Sequence, residues 1–232
     1  MKTEAEFDQY AEDYYQMLKS SITKSGEQPE FFAEYKIQDT LQLTKKLSFD
    51  PKVIFDFGSG IGNSIPFFRK YFPKSKLICA DISSKSLDIS KKRFPGSEEY
   101  FRIYEGGIDL PDESVDLVFS TCVFHHIDHE EHSHWLRELL RILKVNGVLM
   151  IFEHNPSNPL TVSTVKHCPI DVNAKLIPGR QLKSLIRNAG GRNIDLAYRI
   201  FFPHTLSFLR PFEKYLKKIH LGAQYYVCAR KL

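Results

Sequence analysis

Short apolar runs alternate with amphipathic stretches through the middle of the chain. The apolar runs predict strands at 52–57, 76–80, 100–104, 115–121 and 147–153, and helical periodicity predicts helices at 61–71, 84–93 and 130–143. Residues 53–55 are apolar at successive positions, which is typical of a central parallel strand buried on both faces. This alternation predicts a mostly parallel sheet with helices on both faces.

The two ends of the chain depart from this alternation. Apolar positions near Tyr14 predict an amphipathic amino-terminal helix, and a second helix is predicted at 29–47. Residues 153–178 contain four prolines without a clear period and are interpreted as a long loop without helix or strand. A helix is then predicted at 181–189, with strands at 194–202 and 224–229. Between these strands, the insertion 203–222 carries apolar residues at helical spacing beside lysines and arginine.

Composition limits the broad class of protein. The chain has 232 residues, 42% hydrophobic and 26% charged, which is ordinary for one sizeable α/β domain. Its four cysteines lack paired spacing and are interpreted as reduced thiols, and no signal peptide or membrane-spanning run is evident, so a cytoplasmic location is expected. A net charge of +4 is too mild to argue for nucleic-acid binding.

Three glycines follow the first predicted strand at alternate positions: Gly58, Gly60 and Gly62. Glycines allow a tight turn and a close approach of the backbone to a ligand. A dinucleotide-binding loop would need its third glycine at Asn63, and a P-loop would need a lysine, so neither motif fits. Asp81 ends the next predicted strand, where an acid accepts hydrogen bonds from a ribose diol in nucleotide-binding sheets.

The strand followed by Asp56-Phe57-Gly58-Ser59-Gly60-Ile61-Gly62 resembles motif I of class I S-adenosylmethionine (SAM)-dependent methyltransferases, of the type 11/12-like kind. Further segments are similar to later parts of that family, namely the acid-ended strand at 76–81, the strand at 115–121 with Phe124-His125-His126-Ile127, and the helix, Asn146-Gly147 turn and strand at 135–149. Together they cover roughly half of the chain in the family's order. The resemblance implies a Rossmann-like α/β fold with a seven-stranded sheet of order 3-2-1-4-5-7-6 and a helical cap. We predict one domain, with a cap at 1–50, a SAM-binding core at 51–153 and an acceptor-side region at 154–232.

The resemblance also implies a set of SAM-binding residues. The glycine loop would cradle the amino-acid end and ribose, Asp56 would orient the loop, Asp81 would hold the ribose hydroxyls, and Ile82 would cover the adenine. Glu105 or Gly106 would contact the adenine amine, and the backbone of Thr121 and Cys122 would meet the methionine part. The full predicted set is Asp56, Gly58, Ser59, Gly60, Gly62, Asp81, Ile82, Glu105, Gly106, Thr121 and Cys122. No basic residue adjoins Cys122 in the sequence, so a small buried residue and a reactive thiol remain alternative interpretations.

Methyl transfer from a sulfonium is an in-line displacement that needs mainly proximity and alignment. His125 and His126 are candidate bases, with positioning of the loop as the alternative, and Tyr14 is the candidate residue that closes over the sulfonium. Five histidines lie between 125 and 134, but their spacing lacks the H-E-x-x-H arrangement, and we predict no metal.

The acceptor is expected to contact the segments added to the sheet. Aromatic residues and lysines in the insertion favour a small-molecule, amphipathic or lipid-linked acceptor, with O-transfer slightly preferred and possible peripheral membrane contact through 204–220. Glu153 and His154 are predicted to border the acceptor pocket. Two alternatives stay open, an RNA-base methyltransferase and a SAM-binding regulatory protein without turnover. The oligomeric state is not indicated.

Overall fold

The computed structural model describes Asp8, residues 10–104 and residues 106–232, apart from the side chain of Lys24. Within this part of the chain, the strands form a seven-stranded sheet of order β3-β2-β1-β4-β5-β7-β6, which confirms the predicted order. Their bounds are β1 Val53–Phe57, β2 Lys76–Asp81, β3 Glu99–Arg102, β4 Val115–Thr121, β5 Leu143–His154, β6 Arg192–Arg199 and β7 Gln224–Arg230. The strands from β1 to β5 pair in parallel, and β7 pairs antiparallel with both β5 and β6.

The described helices alternate with the strands and surround the sheet. They are α1 Tyr14–Ser21, α2 Pro29–Lys46, α3 Ile65–Tyr71, α4 Ser84–Arg93, α5 His132–Ile142, α6 Pro159–Lys166, α7 Gly179–Asn188 and α8 Glu213–Leu216, with short 3-10 turns at Thr23–Ser25, Phe124–His126, Pro169–Asp171 and His204–Phe212. None of the helices in the described part of the chain has the length and apolar character needed to cross a bilayer.

Each face of the sheet carries its own apolar core. On β1, Phe55 and Phe57 pack with Trp135 of α5 and Leu182 of α7, whereas Ile54 belongs to the core on the side of α2 and α3. Successive strand residues point to opposite faces, so a strand covered on both sides must be apolar at every position. The apolar run at 53–55 was therefore interpreted correctly.

Three local predictions are wrong, each because of a turn or cap. The region 153–178 contains α6, in which Pro159 occupies the first turn and the Asn158 side chain caps the helix by accepting from the Thr161 N–H at 3.0 Å. Proline is well tolerated at that position because no N–H is needed there. The helix predicted from 61 begins only at Ile65. Asn146 and Gly147 lie inside β5 rather than in a turn before it.

Asn146 has a positive φ of 62°, so the chain bends at this residue although it lies inside β5. The register of β4 against β5 shifts between Val115 and Leu117, so the extra residues of β5 form an irregularity within the strand. The chain therefore passes from α5 into β5 directly at Leu143.

The carboxyl ends of β1, β2 and β4 lie at one edge of the sheet, because these strands are parallel. The end of β5 lies there too, where His154 pairs with Gln224 at the start of β7. The insertion 203–222 and the segment 155–178 therefore both leave the sheet at the edge that carries the glycine loop.

Candidate functional site

The glycine loop after β1 uses its three glycines for different purposes. Gly58, Gly60 and Gly62 all have positive φ, at 77°, 52° and 81°. A Cβ on Gly58 would lie 2.3 Å from Val123 Cγ2, and one on Gly62 would lie 2.2 Å from Ser90 Oγ, so packing alone requires glycine at both positions. A Cβ on Gly60 would meet nothing within 4 Å. The absence of a side chain at Gly60 therefore leaves open space above the loop, and Gly60 lines a pocket.

Asp81, the last residue of β2, fixes this loop. Its carboxylate accepts the Gly60 N–H at 2.8 Å and the Ser83 N–H at 2.9 Å. The Ala80 carbonyl accepts the N–H groups of Gly58 and Ser59 at 2.8 and 2.9 Å. Burial raises the pKa of Asp81, while the backbone N–H groups of Ser83 and Gly60 act in the opposite direction. The acid is thus held at the edge of the sheet by hydrogen bonds that favour its charged form.

A pocket with about 780 Å³ of empty space, counting its open mouth, lies over this edge. The lining residues are Tyr14, Phe57, Gly58, Gly60, Asp81, Ile82, Ser86, Ile103, Thr121, Cys122, Val123, His126, Ile127 and Ile170. Six of the predicted cofactor residues line it, together with Tyr14 and His126 from the predicted catalytic set.

The other predicted cofactor residues are not found in the wall of the pocket. Asp56, Ser59, Gly62 and Gly106 are not among the lining residues, and Glu105 falls outside the described residues. Burial and the nearby Asp81 raise the pKa of Asp56 to about 8, which makes its carboxyl group largely neutral at pH 7. At the end of β3, Ile103 lines the pocket. Sequence reasoning missed this residue because it sought an acid there.

His125 lies behind the pocket rather than in its wall. Its Nδ1 donates to Glu153 at 2.6 Å, and Glu153 also accepts the N–H groups of Val123 and Phe124 at 3.0 and 2.7 Å. Burial alone would lower the pKa of His125, but Glu153 and Asp171 raise it to about 10. The imidazole is therefore charged at neutral pH and cannot accept a further proton.

His126, by contrast, lines the pocket, and its Nε2 lies 3.3 Å from Asp171 Oδ1. The same carboxylate oxygen lies 3.5 Å from His125 Nε2. Asp171 belongs to the segment 155–178, and the sequence did not identify it because 45 or more residues separate it from both histidines in the chain. A carboxylate beside an imidazole orients the ring and stabilises its protonated form.

Lys36 of α2 is a second residue that the sequence did not identify. Its side chain reaches the end of β4, where Nζ donates to Thr121 Oγ1 at 2.5 Å and lies 3.5 Å from Cys122 Sγ. Lys36 is only 6% exposed. A buried ammonium group is thus placed against the thiol that the sequence had left without a basic neighbour.

The histidines at 125–134 do not converge on one point. His125 instead lies near His154 and Asp171, and one possible ligand atom from each falls within 4.8 Å of the others. Glu153 already holds the Nδ1 of His125, and the Gln224 amide lies 3.3 Å from the Nδ1 of His154. These contacts suit a hydrogen-bonded network, and we assign no metal to it; the absence of a metal remains a prediction.

Known proteins are similar in sequence to the central part of this chain. Residues 55–151 match the family described as a methyltransferase domain. An uncharacterised methyltransferase-like protein of Schizosaccharomyces pombe is 35% identical over 118 residues, which are 50% of this chain and 44% of that protein. The demethylmenaquinone methyltransferase of Thermotoga maritima is 31% identical over 114 residues, 48% of each chain. The chain thus spans about half the length of these curated relatives.

Solved structures extend the similarity to the whole fold. A SAM-dependent methyltransferase of Thermotoga maritima, described as a possible histamine N-methyltransferase, superposes with a TM-score of 0.67 at 19% identity and covers 98% of this chain and 99% of its own. Phosphoethanolamine N-methyltransferase 2 of Haemonchus contortus, solved with SAM, has a TM-score of 0.59 at 16% identity over 86% of this chain and 56% of its own. Residues 55–151 thus match a methyltransferase domain, and the strand order agrees with the Rossmann-like fold of these SAM-dependent methyltransferases.

Proposed function

We propose that the chain binds SAM in this pocket and transfers its methyl group to an acceptor, releasing S-adenosylhomocysteine (SAH). The opening above Gly60, beside the fixed carboxylate of Asp81, is the observation that supports the proposal most directly. Asp81 would hold the ribose hydroxyls, and Ile82 and Ile103 would enclose the adenine. Thr121 and Cys122 would meet the methionine part, and Tyr14 would cover the sulfonium.

The proposed chemistry needs few side chains. The acceptor attacks the methyl carbon in line with the leaving sulfur, so the protein mainly aligns the two molecules and excludes water. His126 is the proposed base for the acceptor proton, since it lines the pocket and Asp171 can stabilise its protonated form. A base at this point favours an oxygen acceptor, whose proton must leave during or after attack.

An exposed apolar surface supports an amphipathic acceptor delivered from a membrane. The apolar patch consists of the exposed residues Leu206, Phe208, Phe212, Tyr215, Ile219 and Leu221 of the insertion. Phe208 and Tyr215 are 70% and 73% exposed, and the ammonium of Lys214 lies 4.9 Å from the centre of the Tyr215 ring. Apolar side chains beside lysines are typical of segments that lie on anionic membranes.

The patch lies at the same edge of the sheet as the pocket. Asn158 at the start of α6 donates to the Leu221 carbonyl at 2.7 Å, and the next helix residues include Leu160, which is 77% exposed. The segment that places Asp171 beside His126 thus also adjoins the patch. A lipid-linked acceptor held at the patch would have its polar group near His126. The relative named for demethylmenaquinone is consistent with an acceptor of this kind.

Calorimetry with SAM and SAH tests the central proposal. Wild-type protein should bind both, and Asp81→Asn should bind each roughly 10- to 150-fold more weakly, since hydrogen bonds to a charged group contribute about 1.5–3 kcal/mol. Asp195→Asn is the matched control, because that carboxylate lies on β6 and pairs with Lys218. Wild-type protein that gives no heat at saturating SAM would exclude the proposal. Binding without methyl transfer from labelled SAM to any extract or lipid fraction would instead favour the regulatory alternative.

Vesicle sedimentation tests the membrane contact. The protein should sediment with anionic vesicles at low salt, and Phe208→Ser or Lys214→Glu should reduce the bound fraction. Val145→Ser and Lys45→Glu are controls of the same type, because both residues are exposed and lie away from the patch. Equal binding by patch and control variants would contradict the membrane proposal and leave SAM binding untouched.

A further inference from the structure

Cys122 differs from the other three cysteines. Cys79, Cys168 and Cys228 are buried, and burial raises the pKa of each thiol. Cys122 is partly exposed and lines the pocket. Its φ of 56° is in the left-handed region that non-glycine residues rarely adopt, and its N–H donates to the Phe152 carbonyl at 2.8 Å. The backbone at the end of β4 therefore fixes this thiol at the edge of the site.

The Lys36 ammonium needs an anion near this thiol. Lys36 is 6% exposed, and within the described chain no carboxylate forms a salt bridge with it. Asp56 also acts on Lys36, but its raised pKa of about 8 leaves that carboxyl group largely neutral at pH 7. The Lys36 side chain contacts the hydroxyl of Thr121 and the sulfur of Cys122, at 2.5 and 3.5 Å. A buried charge is costly unless an opposite charge accompanies it. A thiolate at Cys122 would provide that charge.

His154 acts on the same sulfur. The Tyr35 hydroxyl donates to the Gln224 carbonyl oxygen, which leaves the Gln224 amide N–H directed at His154 Nδ1, 3.3 Å away. The neutral His154 ring then carries its proton on Nε2 and can donate it. Burial alone would raise the pKa of the Cys122 thiol, but His154 and Lys36 lower it to about 6.

The remaining titratable groups around the thiol do not cancel the lowering of its pKa. Glu153 acts in the opposite direction, but it is paired with His125. Burial raises the pKa of the nearby hydroxyls of Tyr14, Tyr35 and Tyr225, so these groups stay neutral in the range where the thiol titrates.

We propose that Cys122 is a redox-sensitive modification site, held as a thiolate by Lys36 and His154, whose oxidation by a peroxide closes the methionine end of the cofactor pocket. The consequence for the cofactor depends on the proposed function. The sulfur attacks one oxygen of hydrogen peroxide, an S–O bond forms, the O–O bond breaks, and the hydroxide that leaves takes up a proton to become water. Sulfur loses two electrons to the peroxide, and a dithiol reductant reverses the change. The added oxygen occupies space beside Thr121, in the pocket that Gly58 also lines.

Alkylation by iodoacetamide, followed by mass spectrometry of the Cys122 peptide, tests the thiolate. The rate should rise with pH to a midpoint near 6, whereas an ordinary thiol has its midpoint at about 8.5, a difference of roughly thirtyfold in thiolate fraction at pH 7. The midpoint is the proper measure, because the intrinsic reactivity of a thiolate falls as its pKa falls. Lys36→Met should raise the midpoint, while Lys36→Arg and the exposed helix control Lys45→Met should keep it low. A wild-type midpoint of 8 or higher, or one that Lys36→Met leaves unchanged, would overturn the assignment.

Peroxide treatment then tests the consequence for the pocket. SAH should slow the alkylation of Cys122, and hydrogen peroxide should abolish the calorimetric heat of SAH binding until dithiothreitol restores it. The heat of SAH binding by Cys122→Ser should be the same before and after peroxide treatment. Circular dichroism should show that this variant is folded. Peroxide-treated wild-type protein that is labelled by dimedone at Cys122 yet binds SAH unchanged would refute the proposal. If untreated protein fails to bind SAH, the proposed function fails, while the alkylation midpoint still decides the state of the thiol.

Discussion

Replacing Gly60 by alanine distinguishes an effect on folding stability from an effect on ligand binding. The added methyl group meets no protein atom within 4 Å, and the φ of 52° lies in the left-handed region. That conformation costs alanine about 1–2 kcal/mol, and the reduced freedom of the unfolded chain offsets about 0.4–1 kcal/mol of this. The free energy of unfolding should therefore fall by about 1 kcal/mol.

The effect on the cofactor should be larger. The methyl group enters space that the proposed ligand fills, and extra methylene-sized groups in a packed site typically cost about 1–3 kcal/mol. Affinity for SAH should then fall roughly 5- to 150-fold, at 1.4 kcal/mol for each factor of ten. Calorimetry gives the affinity, and urea unfolding gives the stability of the same preparation.

Gly190→Ala provides the control for this prediction. Gly190 also has a positive φ, 114°, and open space around its Cβ position, but it lies after α7 and not in the pocket. Its alanine variant should lose stability and keep full affinity for SAH. If Gly60→Ala binds SAH within about a factor of two of the wild type, or if Gly190→Ala weakens binding equally, the space above Gly60 is not the cofactor site.

Three further predictions concern stability and its pH dependence. Because the pKa of His125 is raised to about 10 from 6.5, its pairing stabilises the fold fully below pH 6.5 and this contribution is lost as pH rises towards 10. The difference in unfolding free energy between wild type and His125→Gln should therefore narrow from pH 6 to pH 10, and a constant difference would contradict the charged state. Arg199→Met should destabilise the protein by about 3–5 kcal/mol in urea unfolding, because it leaves the buried Asp39 carboxylate unpaired, and Asp39→Asn in the same background should recover part of the loss. Asn158→Ala should cost about 1–2 kcal/mol through loss of the α6 cap and of the bond to Leu221, whereas Asn188→Ala, at the exposed end of α7, should cost less.

Local patterns in the sequence were sufficient to predict the sheet and the part of the pocket proposed to bind SAM. The apolar run of β1, its glycines and Asp81 are each defined by neighbouring residues, so their placement could be predicted. Lys36 and Asp171 could not be placed this way, because each reaches the site from an added segment and its partners are distant in the chain. Helix α6 was missed because its proline was interpreted as a helix breaker rather than as a first-turn residue.

The two ends of the insertion meet at adjacent rungs of the β6–β7 ladder. Arg199 pairs with Gln224, and just beyond them the Ala223 N–H donates to the Ile200 carbonyl at 2.8 Å. Chain that leaves and re-enters a hairpin at hydrogen-bonded neighbours can change in length without moving either strand. The region between them is therefore an exchangeable cassette. A segment from another methyltransferase could be grafted at this junction, provided that it supplies an acid in place of Glu213, which accepts the N–H groups of Phe201 and Phe202. It must also supply a carbonyl in place of that of Lys217, which accepts the N–H of Tyr198 in β6 at 2.8 Å.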